Sequence, residues 1–244
     1  MGEKYKMKKD KYRHELKYII TEIQFQELKA RLSSLLKVDK NTREDGTYFI
    51  RSLYFDDYLN TSYYQVLNGV SKREKYRIRY YNNDDSYICL EKKFKINNMT
   101  NKTSCKVTRK QVEDLIVGNL DINKENNKLL NEFIIKTKFY GYKPVVTVDY
   151  NRIPYTYDAG NVRITLDYNI AMNYKFSEFF EESGTSIPII EKGNHILEVK
   201  YDDFLPNYIS WLLNINTLEQ TSYSKYLNSR LIQNRIIDKE VFYE

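Results

Sequence analysis

The chain is poor in the residues from which most cofactor cradles are built. Its 244 residues hold eight glycines, and neither a G-x-G-x-x-G run nor a Walker P-loop occurs, so any bound phosphate must be held by side chains. Only two cysteines, Cys89 and Cys105, and two histidines, His14 and His195, are present, which excludes a zinc cluster of the usual Cys/His spacing. A disulfide framework is excluded by the same count, and the two thiols are expected to be reduced. Met1 to Arg13 is charged and lacks an apolar h-region, and no later run approaches the ~18 apolar residues of a membrane span. Lys6 stands where a myristoylation motif needs Ser or Thr. A cytoplasmic protein is expected.

What is present describes a folded protein with a mild cationic excess. Lys and Arg number 39 against 33 Asp and Glu, and hydrophobic residues make up 41%, with 24 tyrosines against 11 phenylalanines. Coiled-coil, collagenous and disordered classes are excluded. No Pro/Gly/Ser-rich linker and no repeat divides the chain, so a basic tail over 1–10 and a single domain over 11–244 are expected.

Thr21-x-x-Gln24 is a capping-box pattern ahead of Phe25, Leu28, Leu32, Leu35 and Leu36, predicting a helix near 21–36. Thr108-x-x-Gln111 repeats it, with Val112, Leu115 and Ile116 on one face and Gly118 as a stop. Leu129 to Ile134 with a stop near Gly141 predicts a third helix, and 208–213 and 223–236 two more. Between them, β-rich segments near 12–19, 47–55, 73–82, 86–96, 102–107, 144–151, 161–168 and 195–202 predict eight strands. The Asn82-Asn83-Asp84-Asp85 cluster turns a hairpin over 73–96.

The charges follow the strand period. Alternate residues share a face, which aligns Arg13, Glu15 and Lys17; Lys75, Arg77 and Arg79; Glu91, Lys93 and Lys95; Arg163 and Asp167; and Glu198 and Lys200. Such alternation ordinarily marks a solvated outer face. The opposite faces, however, are apolar enough to pack against the amphipathic helices. If the helices cover the outside, a closed barrel turns the charged rows inward around a tunnel. Cations gathered there need an anionic guest to offset their desolvation, and interspersed carboxylates suit a divalent metal.

Eight motifs in order resemble the VTC domain: Arg13-His-Glu-Leu-Lys-Tyr18, Arg51-Ser-Leu-Tyr-Phe-Asp-Asp57, Lys75-Tyr-Arg-Ile-Arg-Tyr-Tyr81, Leu90-Glu-Lys-Lys93, Tyr150-Asn-Arg152, Val162-Arg-Ile-Thr-Leu-Asp167, Leu197-Glu-Val-Lys-Tyr201 and Ser224-Lys-Tyr226. That domain is the polyphosphate polymerase module of the vacuolar transporter chaperone complex, found also as stand-alone prokaryotic proteins, within the triphosphate tunnel metalloenzymes. The resemblance implies an α+β fold: an eight-stranded antiparallel β-barrel, the triphosphate tunnel, with amphipathic helices packed around it. It implies a polymerase that transfers the γ-phosphate of ATP to inorganic polyphosphate with Mn²⁺ or Mg²⁺. Pyrophosphate and polyphosphate are the other expected partners, nucleic acid is not, and a membrane-protein partner at the inner face of the membrane is left open.

By this resemblance Lys17, Arg77, Arg79, Lys93, Lys102, Arg152, Lys200 and Lys225 match the family's basic tunnel residues, Ser224 its terminal serine and Glu198 its metal-binding glutamate. Lys106 could stand in for Lys102 by a small shift in the loop. Lys75, Arg163, Glu15 and Glu91 join them as additional candidates on the same charged faces. The wider superfamily's hydrolases and cyclases carry Glu-x-Glu-x-Lys near the N-terminus, whereas here the first position is Arg13, which favours the polymerase branch. A tripolyphosphatase and a non-catalytic polyphosphate sensor are the alternatives.

Overall fold

Both capping boxes form as the spacing predicts. In the computed structural model, which describes residues 12–97, 99–119, 127–182 and 186–241, Thr21 and Gln24 exchange side-chain-to-backbone hydrogen bonds, as do Thr108 and Gln111. The expected basic tail over 1–10 lies outside the described residues. The chain runs β1 (Arg13–Thr21), α1 (Glu22–Leu35), β2 (Lys37–Val38), β3 (Tyr48–Asp56), α2 (Thr61–Leu67), β4 (Lys72–Tyr81), β5 (Asp84–Ile96) and β6 (Met99–Val107). It continues with α3 (Arg109–Val117), α4 (Lys128–Tyr140), β7 (Lys143–Tyr157), β8 (Val162–Asn173), β9 (Ile187–Pro188), β10 (Asn194–Tyr201), α5 (Asn207–Leu212) and α6 (Lys225–Val241). Gly118 and Gly141 end α3 and α4 at φ 77° and 63°, the left-handed conformation that glycine adopts without penalty.

Eight long strands close into a ring, β7-β3-β4-β5-β6-β1-β10-β8, with β8 returning to β7, and every pairing is antiparallel. The ring is uneven. β1 follows β10 along nearly its whole length but meets β6 only at Arg13↔Thr100 and His14↔Met99. Asn82 and Asn83 turn the β4–β5 hairpin with φ of 55° and 57°, so two asparagines supply the paired positive φ of a type I′ turn. Two features were not predicted: the two-residue strands β2 and β9, and helix α2, which has neither a capping box nor a side-chain cap of its own.

The outer surface of the ring is apolar and covered. Tyr76, Ile78, Leu90, Val107 and Cys105 pack under α3 and α4, while Tyr18, Ile164, Leu166, Leu197 and Val199 pack under α1 and α5. Cys89 and Cys105 are buried free thiols. No helix among the described residues is long and apolar enough to cross a membrane.

Candidate functional site

With the apolar faces packed outside, the alternate residues of the same strands point into the ring. The central cavity, about 90 Å³, is lined by Lys17, Lys75, Arg77, Arg79, Lys93, Arg152, Lys200 and Lys225, eight cations, against two carboxylates, Glu15 and Glu198. The expected tunnel face, rather than a solvated outer face, is where the charged rows lie.

The two carboxylates converge because β1 and β10 pair with Glu15 opposite Lys200 and Lys17 opposite Glu198. Lys93 Nζ lies 2.7 Å and Lys17 Nζ 3.2 Å from Glu15, and Lys200 Nζ 2.5 Å and Arg152 Nη2 3.3 Å from Glu198. Burial opposes their ionisation. The surrounding cations outweigh it: Lys93, Lys17 and Lys200 hold Glu15 well below the usual carboxylate range, and Lys200, Lys17 and Arg152 lower Glu198 to about 2.

Glu91 is differently placed. It accepts from Arg77 Nε at 2.7 Å and Lys102 Nζ at 2.8 Å and does not line the central cavity, so Glu15 rather than Glu91 shares the site with Glu198. Arg79 is held by Ser52 Oγ at 3.0 Å and the Tyr150 hydroxyl at 2.9 Å. Arg152 forms a bidentate pair with Asp167 at 2.5 and 2.7 Å, and Asp167 also takes Lys225 Nζ at 2.6 Å. Sequence reasoning did not select Asp167 as a site residue, although its alternation with Arg163 placed it on the charged face. Its carboxylate orients both cations.

Ser224 and Lys225 reach the tunnel at the start of α6. Lys225 Nζ sits 4.6 Å from the centroid of the Tyr150 ring, and Ser224 Oγ accepts from Lys75 Nζ at 3.3 Å. Among the described residues Lys75 has no carboxylate within ion-pair distance. Burial, then Lys93, Lys17, Arg73 and Arg77, push its ammonium well below the ordinary lysine range.

The cavity opens toward two unlike ends. At one, Lys17, Lys75, Arg73 and Lys95 face the 220–224 segment around a space of about 440 Å³. At the other, about 330 Å³ is bounded by Arg77, Arg79, Arg152, Lys200, Lys102 and Arg163 together with Tyr48 and Tyr81. Lys102 therefore lies at a mouth, half exposed, while Lys106 packs over the Tyr87 ring at 5.7 Å. Arg163 is tied to the Tyr48 hydroxyl at 2.7 Å and to Asp39 at 3.1 Å.

No group of three or more His, Cys, Asp or Glu that could hold a metal ion occurs among the described residues. Glu15 and Glu198 fit a different arrangement, one or two carboxylates whose hard oxygens share Mg²⁺ or Mn²⁺ with the oxygens of a bound phosphate chain. Chemically, the tunnel can neutralise an extended polyanion and orient it along its axis.

Solved structures similar to this one share its fold. A proposed adenylyl cyclase from Hippeastrum with a dominant triphosphatase activity aligns at a TM-score of 0.53 and 14% identity, over 90% of this chain and 94% of that one. A proposed adenylate cyclase from Bacillus halodurans aligns at 0.53 and 12% identity, over 88% and 95%. Both likenesses are to the triphosphate tunnel fold. No curated protein sequence matches the chain. The sequence profile of the VTC domain matches residues 12–233, nearly the whole of the ring and its helices, and the chain belongs to the VTC domain family.

Proposed function

We propose that residues 11–244 act as one catalytic unit, a polyphosphate polymerase that draws on ATP. The observation that carries this reading is the excess of eight cations over two carboxylates around the central cavity, with no carboxylate among the described residues within ion-pair distance of Lys75. The triphosphate of ATP lies among Arg77, Arg79, Arg152, Lys93, Lys200 and Lys225, with Lys17, Lys75 and Ser224 toward the cationic end. A terminal oxygen of pyrophosphate or of the growing chain attacks the γ-phosphorus, the bond from that phosphorus to the β–γ bridging oxygen breaks, and ADP leaves. No protein nucleophile is needed, since positioning and charge neutralisation carry most of phosphoryl transfer. A divalent metal between Glu15 and Glu198, Mn²⁺ or Mg²⁺, would supply further neutralisation of the phosphates.

Arg13 supports polymerisation over hydrolysis. It pairs with Asp202 at 2.9 Å and adds no third carboxylate to Glu15 and Glu198. A tripolyphosphatase, with water as the acceptor, is the second reading, favoured by the likeness of fold to the Hippeastrum protein. Incubation with ATP and Mn²⁺ or Mg²⁺, followed by a chain-length gel, separates the readings. Chains with ADP support the polymerase, orthophosphate and ADP alone the hydrolase, and polyphosphate binding without turnover a sensor.

A further inference from the structure

The inner rows of the ring change character at the β4–β5 hairpin. On β4 the inward series Lys75, Arg77, Arg79 ends in Tyr81; on β5 the series Lys93, Glu91, Cys89 ends in Tyr87; and on β3 Tyr48 occupies the same end. These three rings border a cavity of about 440 Å³ with Asn82, Asp39 and Arg163, and this cavity shares Tyr48, Tyr81 and Arg163 with the adjoining tunnel mouth. The opposite end of the tunnel carries Arg73, Lys75 and Lys95 and a single tyrosine, Tyr223, whose hydroxyl is committed to the Ile189 carbonyl at 2.8 Å.

The aromatic cavity is built rather than incidental. Tyr48 is buried, stands edge-on to Tyr81 at 5.6 Å, and accepts from Arg163 through its hydroxyl. Asn82 Oδ1 accepts from the Phe49 N–H at 2.9 Å, which fixes the carboxamide at the cavity wall. Arg163 Nε is buried with no hydrogen-bond partner, an unspent donor beside the cavity. Tyr87, by contrast, leaves 55% of its surface open. An exposed aromatic face next to a phosphate-sized cationic tunnel matches one kind of ligand, a phosphate chain that ends in a flat ring.

We propose that the cavity between Tyr48, Tyr81 and Tyr87 holds the nucleobase of the nucleoside triphosphate, with Tyr87 as its stacking face. This inference rests on the reading of the tunnel as a triphosphate site and adds a direction to it: the base sits at the hairpin end, and the phosphates point toward Lys75. It also makes Tyr87 a specificity-determining residue, because a bare phosphate chain has nothing to stack.

The test compares two probes, ATP and inorganic tripolyphosphate, by calorimetry without turnover on wild-type protein, Tyr87→Ala and Tyr87→Trp. Tyr87→Ala should weaken ATP about 5- to 100-fold, the range of base–aromatic stacking, and leave tripolyphosphate unchanged. Tyr87→Trp should restore ATP binding. Equal weakening of both probes, or no change in either, overturns the proposal. Wild-type protein that binds neither probe overturns the triphosphate reading itself, and this proposal with it. Because Tyr87 is half exposed, its loss should leave the melting temperature unchanged; Asn82→Ala, read against the same two probes, gives a second variant with the same expected split.

Discussion

The Tyr226 hydroxyl donates a 2.6 Å hydrogen bond to Asp56 across 170 residues of chain. Asp56 has no exposed surface, and its remaining lone pairs take the backbone N–H groups of Asp57, Ser62 and Tyr63. One carboxylate thus ends β3, starts α2 and anchors the first turn of α6, the turn that carries Ser224 and Lys225 into the tunnel. Tyr226→Phe keeps the ring but leaves Asp56 short of a donor, at a cost of about 1–3 kcal/mol. For a chain of this size each kcal/mol lowers the melting temperature by ~2–4 °C. Tripolyphosphate affinity should fall as well, since Lys225 loses its anchor; calorimetry and thermal melts read the two effects.

On β4, alternate residues should separate binding from stability. Arg79 is held by the Tyr150 and Ser52 hydroxyls at 2.9 and 3.0 Å and lies 3.9 Å from Glu91, so Arg79→Ala should weaken tripolyphosphate binding by about 1.5–3 kcal/mol, the cost of a charged hydrogen bond, with a smaller change in melting temperature than Arg77→Ala. Ile78 is fully buried beneath the covering helices, and Ile78→Ala should cost about 2–5 kcal/mol of stability with binding retained in the folded protein. Arg77→Ala should do both, because it takes the nearest cation from the buried Glu91 and leaves it only Lys102 at 2.8 Å and Arg79 at 3.9 Å. Silence in Arg79→Ala with lost binding in Ile78→Ala would reverse the assigned faces.

Glu198→Gln keeps the shape of the side chain and removes a charge that binds a hard dication. Turnover should collapse, while metal-free ATP binding should hold or tighten, since Lys200 and Arg152 remain and a competing anion is gone. With its pKa lowered to about 2, Glu198 should cause no titration of metal affinity between pH 5 and 9. A Mn²⁺ titration on Glu198→Gln and Glu15→Gln measures the share of each; undiminished metal affinity in both would remove the metal from this position.

Lys75 should set the lowest-pH step in phosphate affinity. Its pKa is depressed by burial and by the neighbouring cations, whereas Lys17, held by Glu15 and Glu198 against its own burial, is raised. As the pH rises through the depressed value Lys75 loses its proton first, and the dissociation constant of tripolyphosphate should rise. Lys75→Arg, which stays protonated, should lack that step. The stability effect has the opposite sign. The unfolded chain keeps this proton up to the ordinary lysine range, so the cost of the buried charge is present below the folded-state pKa and fades as the pH climbs. Lys75→Met should therefore raise the melting temperature of the ligand-free protein at neutral pH while weakening binding.

Much of the architecture was legible residue by residue. The capping boxes at Thr21 and Thr108, the stops at Gly118 and Gly141 and the eight strand segments depend on local chemistry and the period of the chain, and all appear where the spacing places them. The alternation of Lys75, Arg77 and Arg79 with Tyr76, Ile78 and Tyr80 likewise separated the two faces of β4. Helix α2 was not legible, because its first turn is capped by Asp56, a residue outside the helix whose role depends on α6. Nor was it legible which carboxylate meets which cation: Glu15 with Lys93, Glu198 with Arg152 and Asp167 with Lys225 join strands and a helix that are 46 to 78 residues apart. Backbone propensity and side-chain period act within a few residues, so they determined the elements and their faces. Only closure of the ring, with β1 beside β10, turned the charged rows toward one another and decided what the tunnel contains.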